Sequence, residues 1–156
     1  MEIVTYDLRL NKNKTLKLVK ENSIEYNSNH ELLTEPENIA KMMKNIFDMD
    51  NLATEHFYAI ALNCKCRILG IFELSSGCME QTLCGTRELF QRLLMVGAVQ
   101  FVVTHNHCSG YVEPSKSDIL LSERIRQAGS LMGINLVDHI IIGTQGYYSM
   151  KETGDI

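Results

Sequence analysis

Apolar and polar residues alternate at the start of the chain. Ile3, Thr5 and Asp7 interleave with Val4, Tyr6 and Leu8, and the alternation resumes at Leu16, Leu18 and the stretch Ser23–Tyr26. Asn11-Lys12-Asn13-Lys14 between them supplies turn residues, so 1–33 predicts a leading β-hairpin. From residue 36 the period changes. Ile39, Met42, Met43, Ile46 and Phe47 recur three and four apart and predict a helix over 36–49. Thr34-x-x-Glu37 reads as its capping box, with Pro36 in the first turn where a missing N–H costs little. His56–Asn63 is apolar on both sides, Phe57, Ala59 and Ala61 against Tyr58, Ile60 and Leu62. That is the pattern of a central strand covered on two faces.

After a short turn at Asn63–Lys65, Arg67–Leu74 predicts another strand, and Ser75-Ser76-Gly77 reads as its end. Thr86–Val96 predicts a second helix with Leu89, Phe90, Leu93, Leu94 and Val96 inward. Val99–Thr104 is a short β-branched run, a buried strand that leads into the polar stretch His105–Gly110. Lys116 to Met132 predicts a third helix with Leu121, Ile125, Ala128 and Met132 inside and Gly133 at its C-cap. Ile134–Ile142 and Tyr147–Met150 complete the set as strands about a turn at Gly143–Gly146. Alternating strands and helices predict an α/β (α+β) layered fold, a mixed β-sheet flanked by helices. Residues 1–33 form an N-terminal hairpin extension of the main domain, 34–156.

Composition narrows the class. A chain of 156 residues that is 45% hydrophobic and 22% charged is one globular domain rather than a disordered, collagenous or coiled-coil segment. No apolar run approaches the roughly 18 residues of a membrane span. Met1-Glu2-Ile3-Val4 lacks the basic and apolar stretches of a secretory signal, so a soluble, cytoplasmic chain is expected. Its five cysteines, Cys64, Cys66, Cys78, Cys84 and Cys108, then read as reduced thiols. Cys64-x-Cys66 is too closely spaced for a zinc knuckle and reads as two small apolar residues of a strand. A net charge of −4 argues against a broad phosphate-binding face, which disfavours DNA as a partner.

The chemistry concentrates between Thr104 and Asp118. His105 and His107 lie two apart at the end of an apolar strand, where extended backbone points both imidazoles to one face. Asp118 follows in the first turn of the third helix. Two imidazoles and a carboxylate are three protein ligands with an open fourth position, the pattern of a catalytic zinc rather than a structural one. Water in that position would have its pKa lowered towards about 7 and would need a proton acceptor. Glu55, Glu73, Glu80 and Glu88 are the candidates, with Glu55 favoured by its place at a strand end. A blander reading covers part of the pattern. Ser115-x-x-Asp118 after Pro114 is also a capping-box start, which explains Ser115 and Asp118 without a metal but leaves the two histidines unexplained. An HNH nuclease is discounted, because there the three residues are dispersed over a ββα unit. His139, in an apolar strand, reads either as a partner of a metal ligand or, more simply, as a hydrogen-bonded core histidine.

Thr104–Asp118, T-H-N-H-C-S-G-Y-V-E-P-S-K-S-D, resembles the JAMM (JAB or MPN+) metalloprotease motif, and most closely its RadC branch, whose loop reads H-N-H-P-S-G followed by P-S-x-x-D. Glu55-His56-Phe57, Arg87-Glu88-Leu89-Phe90 and Leu136–Gly143 are also similar to RadC segments, and the resemblance covers roughly 36–151. It implies a JAMM/cytidine-deaminase-like sheet. It also implies Zn2+ held by His105, His107 and Asp118, Glu55 as acid/base and Ser115 as oxyanion stabiliser. The activity implied is hydrolysis of a peptide or isopeptide bond in a protein or peptide substrate, with no membrane partner. Three departures stand out. Cys108 replaces the family proline, Tyr111-Val112-Glu113 replaces a more polar stretch, and 1–33 reads as strands where longer RadC proteins carry a helix-hairpin-helix-like module. A catalytically silent binding or scaffold module, or a DNA-repair accessory protein, is the alternative.

Overall fold

The computed structural model describes residues 1–27, 35–77 and 85–156. Thr34 of the expected capping box, Cys78, Glu80 and Cys84 lie outside the described residues. Two antiparallel strands, β1 (Glu2–Leu10) and β2 (Leu16–Glu25), form the leading hairpin. Its turn is closed by Asn11, whose side-chain oxygen accepts from the backbone N–H of Asn13 and Thr15. Helix α1 (Pro36–Phe47) follows, with Glu35 as N-cap making no side-chain capping bond and Asp48 ending it in the left-handed region.

Strand β3 (Glu55–Leu62) turns into β4 (Ile68–Gly77), and helix α2 (Thr86–Met95) leads to β5 (Gln100–Asn106). Helix α3 (Lys116–Met132) then connects to β6 (Asn135–Gly143), β7 (Gly146–Ser149) and a single helical turn, α4 (Met150–Thr153). The strands form one mixed sheet in the order β2-β1-β4-β3-β5-β6-β7. β3 is therefore central, as its two apolar sides require. It runs antiparallel to both β4 and β5, whereas β5 and β6 are parallel and need α3 as their crossover.

Period-two alternation sorts the sheet's side chains into two cores. Phe57, Ala59, Ala61, Phe101 and Val103 face α2 and α3, where Leu89, Phe90, Leu93, Leu121 and Ile125 cover them. Tyr58, Ile60, Leu62, Val102, Ile140 and Ile142 face α1, covered by Ile39, Ala40, Met42 and Met43. Ile3 of the hairpin is fully buried in this second core, and β1 pairs with β4 in parallel at Thr5 and Ile71. The extension is thus built into the sheet.

Several expectations are corrected. Ser75-Ser76-Gly77 does not end β4, because these residues pair with Phe57, His56 and Glu55. Cys64 and Cys66 belong to the β3–β4 turn rather than a strand, with Cys66 at positive φ and the Asn63 side chain accepting from the N–H of Lys65 and Arg67. His105 and Asn106 lie in β5 and are buried, not in a polar loop. Leu94 and Met132 point outward from their helices. Residue Met150 opens α4 instead of closing a strand. Among the described residues no helix is long and apolar enough to cross a membrane.

Candidate metal centre

Side-chain alternation decides which groups share the site. On β5 the odd residues Phe101 and Val103 face α2 and α3, and so does His105 beyond them. Its cross-strand partner on β3 is Phe57, whose ring stacks on the imidazole with centroids 5.8 Å apart. Glu55, two residues before Phe57, points to the same face. His107 follows β5 by one residue. Its backbone N–H donates to the Ile142 carbonyl and its Nδ1 lies 3.2 Å from the Tyr111 carbonyl, an atom that can only accept. Nδ1 therefore carries the proton and Nε2 is left bare towards the site.

Asp118 arrives from the other side, at the third position of α3. Ser115 is the N-cap, and the capping box is complete in both directions. Asp118 Oδ2 accepts from the Ser115 N–H at 2.7 Å and from its hydroxyl at 2.5 Å. The cap and the cluster are not rival explanations: capping holds the carboxylate that faces the histidines. His105 Nε2 lies 3.0 Å from His107 Nε2 and 3.4 Å from Asp118 Oδ1, and His107 Nε2 lies 3.5 Å from Oδ2. One ligand atom from each of His105, His107 and Asp118 lies within 4.8 Å of the others.

The loop between His107 and Ser115 is fixed at its middle by close backbone approach. A Cβ on Gly143 would sit 2.3 Å from the Gly110 carbonyl oxygen, and Gly110 itself has φ +80°. Only glycine allows both.

Electrostatics follow from burial and proximity. Burial, then His139, holds His105 well below the ordinary imidazole value, with His107 adding and Asp118 opposing. A second proton on His107, at Nε2, would be donated to Asp118, and this raises His107 despite its partial burial. For Asp118, burial alone would raise the carboxyl. The His107 hydrogen bond, attraction to His105 and the Ser115 bonds outweigh it and hold the group well below the carboxylate range. Glu55 is half-buried and raised, first by burial, with His107 opposing and Asp118 adding, so it lies within electrostatic reach of both.

Among the described residues the other candidate carboxylates, Glu73 and Glu88, lie away from the cluster. Glu73 pairs with His56 at 2.8 Å on the opposite face, beside Tyr58. Glu88 is on the exposed face of α2. Cys108 is exposed next to His107. Two participants had escaped the reading of the sequence. Asn106, between the histidines, faces away from them. Its Oδ1 accepts the His56 N–H at 2.7 Å and its Nδ2 donates to the Thr54 carbonyl at 3.0 Å, which braces the backbone on both sides of Glu55. Ser122 is fully buried on α3 and bonds His139. A serine between Leu121 and Ile125 on a buried helix face is a polar signal the sequence did contain.

A mixed sheet with helices on both faces and a His-x-His/Asp cluster where β5 meets α3 defines a JAB/MPN-type fold. The family model described as RadC-like JAB domain matches residues 33–155, and the chain belongs to that family. It is similar to a protein of Rubrobacter xylanophilus named only UPF0758 protein, 34% identical over 139 residues, 89% of this chain and 60% of that one. A UPF0758 protein of Thermotoga maritima is 36% identical over 116 residues, 74% of this chain and 52% of its own. A third, from Desulforamulus reducens, is 38% identical over 107 residues, 69% of this chain and 47% of its own. The chain spans about half the length of the curated relatives it matches.

Proposed function

We propose that the chain is a zinc-dependent hydrolase of the JAMM type that cleaves a peptide or isopeptide bond. The observation that carries this reading is the convergence of the three side chains: His105 Nε2 and His107 Nε2 are 3.0 Å apart, and the two Asp118 oxygens lie 3.4 Å from the first and 3.5 Å from the second. Tetrahedral zinc with bonds of about 2.0–2.1 Å has ligand–ligand edges of about 3.3 Å. Two imidazole nitrogens and one carboxylate oxygen are also the donor chemistry of a catalytic site with an open position. When bound, zinc would polarise the scissile carbonyl and make a water molecule acidic near neutral pH.

The chain's own residues supply the rest. His105, His107 and Asp118 hold the metal. Glu55, raised by burial, accepts a proton from water and returns it to the departing amine nitrogen, work that suits a carboxyl shifted towards neutrality. Ser115 holds Asp118 Oδ2 through both its N–H and its hydroxyl, and the single hydroxyl proton serves the developing oxyanion by turning away from Oδ2, which keeps the N–H. Cys64, Cys66 and Cys108 are thiols rather than disulfides, which fits a cytoplasmic setting.

The test is metal content together with turnover of a quenched-fluorescence peptide library and of lysine-linked isopeptides. About one zinc per chain is expected, lost in His107→Ala. Glu55→Gln keeps zinc and loses about 10²–10⁴-fold in turnover. Wild type that takes up no zinc overturns the reading. Zinc without turnover of any amide substrate makes the chain a silent scaffold instead.

A further inference from the structure

Between His105 and the helix that carries Asp118, buried polar groups form one continuous chain. His105 Nδ1 lies 2.8 Å from His139 Nε2, and His139 Nδ1 lies 2.5 Å from Ser122 Oγ. Ser122 Oγ in turn lies 2.7 Å from the backbone carbonyl of Asp118. His105, His139 and Ser122 are fully buried, so their donors and acceptors have to be matched to one another. Phe57 walls the two imidazoles, stacked on His105 and edge-on to His139 with centroids 5.6 Å apart.

The direction of the chain is set at its far end. The Asp118 carbonyl only accepts, so Ser122 spends its single proton there; the nearby Met150 sulfur at 3.1 Å is a much weaker acceptor. Ser122 Oγ is then the acceptor for His139 Nδ1–H. A neutral imidazole protonated at Nδ1 has a bare Nε2, and that atom accepts from His105 Nδ1–H. His105 is left with its Nε2 lone pair aimed at His107 and Asp118. In the reverse polarity Ser122 would donate to His139, His139 to His105, and an N–H would occupy the one position from which His105 can ligate.

We propose that His139 and Ser122 are positioning residues for the metal centre, fixing the tautomer of His105 through a hydrogen-bond relay that starts at the backbone of Asp118. One metal ligand's side chain is thereby oriented by another ligand's main chain. The inference rests on the metal reading above and deepens it. Histidine ligands commonly donate their other ring N–H to a carboxylate or a carbonyl. Here His107 uses the Tyr111 carbonyl directly, whereas His105 reaches a carbonyl only through two intermediaries.

The experiment has two arms on the full chain. Long-range ¹H–¹⁵N spectra of the chelator-treated wild type should show His105 and His139 both protonated at Nδ1 and bare at Nε2. A proton on His105 Nε2 overturns the relay whether or not zinc binds. In the second arm zinc affinity is read by competition with a chromogenic chelator. His139→Leu should lose about 10–100-fold and Ser122→Ala a smaller factor. His139→Gln, which keeps an acceptor for His105 Nδ1–H, should recover most of the loss. If these variants only lower the melting temperature of the metal-free protein while zinc affinity stays within about twofold, the two residues are structural and the proposal fails. Should His139→Leu not fold, Ser122→Ala and the wild-type spectra decide. Zinc refused by the wild type itself overturns the metal reading and leaves the spectra to judge the relay's polarity.

Discussion

Asn106 shows how one side chain can matter to a site it does not face. It bonds the carbonyl before Glu55 and the N–H after it, standing in for a strand partner where the pairing of β5 with β3 has ended. For Asn106→Ala two backbone groups lose their partners, at about 1–3 kcal/mol for each one left buried. The expected outcome is a lower melting temperature with full zinc content and turnover reduced more than metal binding. Loss of zinc in step with turnover would show that Asn106 serves the histidines instead. At this scale the sequence was legible where residue type implies chemistry. His105, His107 and Asp118 stand out by type and spacing, whereas Glu55 is one of four candidate carboxylates that chiefly the resemblance to RadC segments sets apart, and the structure gathers the first three and brings Glu55 into electrostatic reach. Asn106 was not legible, because its role lies in backbone bonds to a segment fifty residues away. His139, read most simply as a hydrogen-bonded core histidine, is that, and its partner is His105.

Elements carry their own predictions. Ser115 both caps α3 and contacts Asp118, so Ser115→Ala should cost about 1 kcal/mol of stability as well as turnover. Ser115→Asn keeps a capping oxygen and separates the two effects: near-wild-type melting with depressed turnover is expected. Gly143→Ala would drive a methyl against the Gly110 carbonyl oxygen, which is backbone and cannot swing aside. Displacement of the loop after His107 should follow, seen as weaker zinc binding and a drop in melting temperature. Unchanged affinity would mean that the loop floats free of β6. The helices and the central strand were legible from periodicity, since each buries one stripe or two faces. The end of β4 was not: Ser75, Ser76 and Gly77 have poor strand propensity but remain paired because β3 runs alongside them. Nor was α4, a single turn too short to display a period.

For the whole molecule, acid should destabilise the metal-free protein through its buried imidazoles. Burial lowers His139 to about 4 from an ordinary value near 6.5. Its contribution is complete above pH 6.5 and is lost as the pH falls towards 4, where the unfolded chain takes up a proton that the folded one refuses. The loss amounts to about 3 kcal/mol over that window. His105, also lowered, adds to it. His107 is raised and opposes it, stabilising below pH 6.5 and ceasing to do so as the pH climbs through its folded value. Melting curves of chelator-treated protein at pH 7, 5.5 and 4.5 should therefore fall steadily, with a shallower slope in His139→Gln. A flat profile would mean that these rings titrate freely. The layered sheet was legible at this scale, but the hairpin's place in it was not, because alternation alone does not say which edge a strand will join. The antiparallel run of β3 also has a practical use. It places the exposed Cys64 just past the far end of an eight-residue strand from Glu55, roughly 25 Å away at about 3.3 Å per residue. With Cys66, Cys108 and the remaining cysteines replaced by serine, a maleimide tether at that thiol would hold the molecule to a chip with the Glu55 end of the sheet away from the surface.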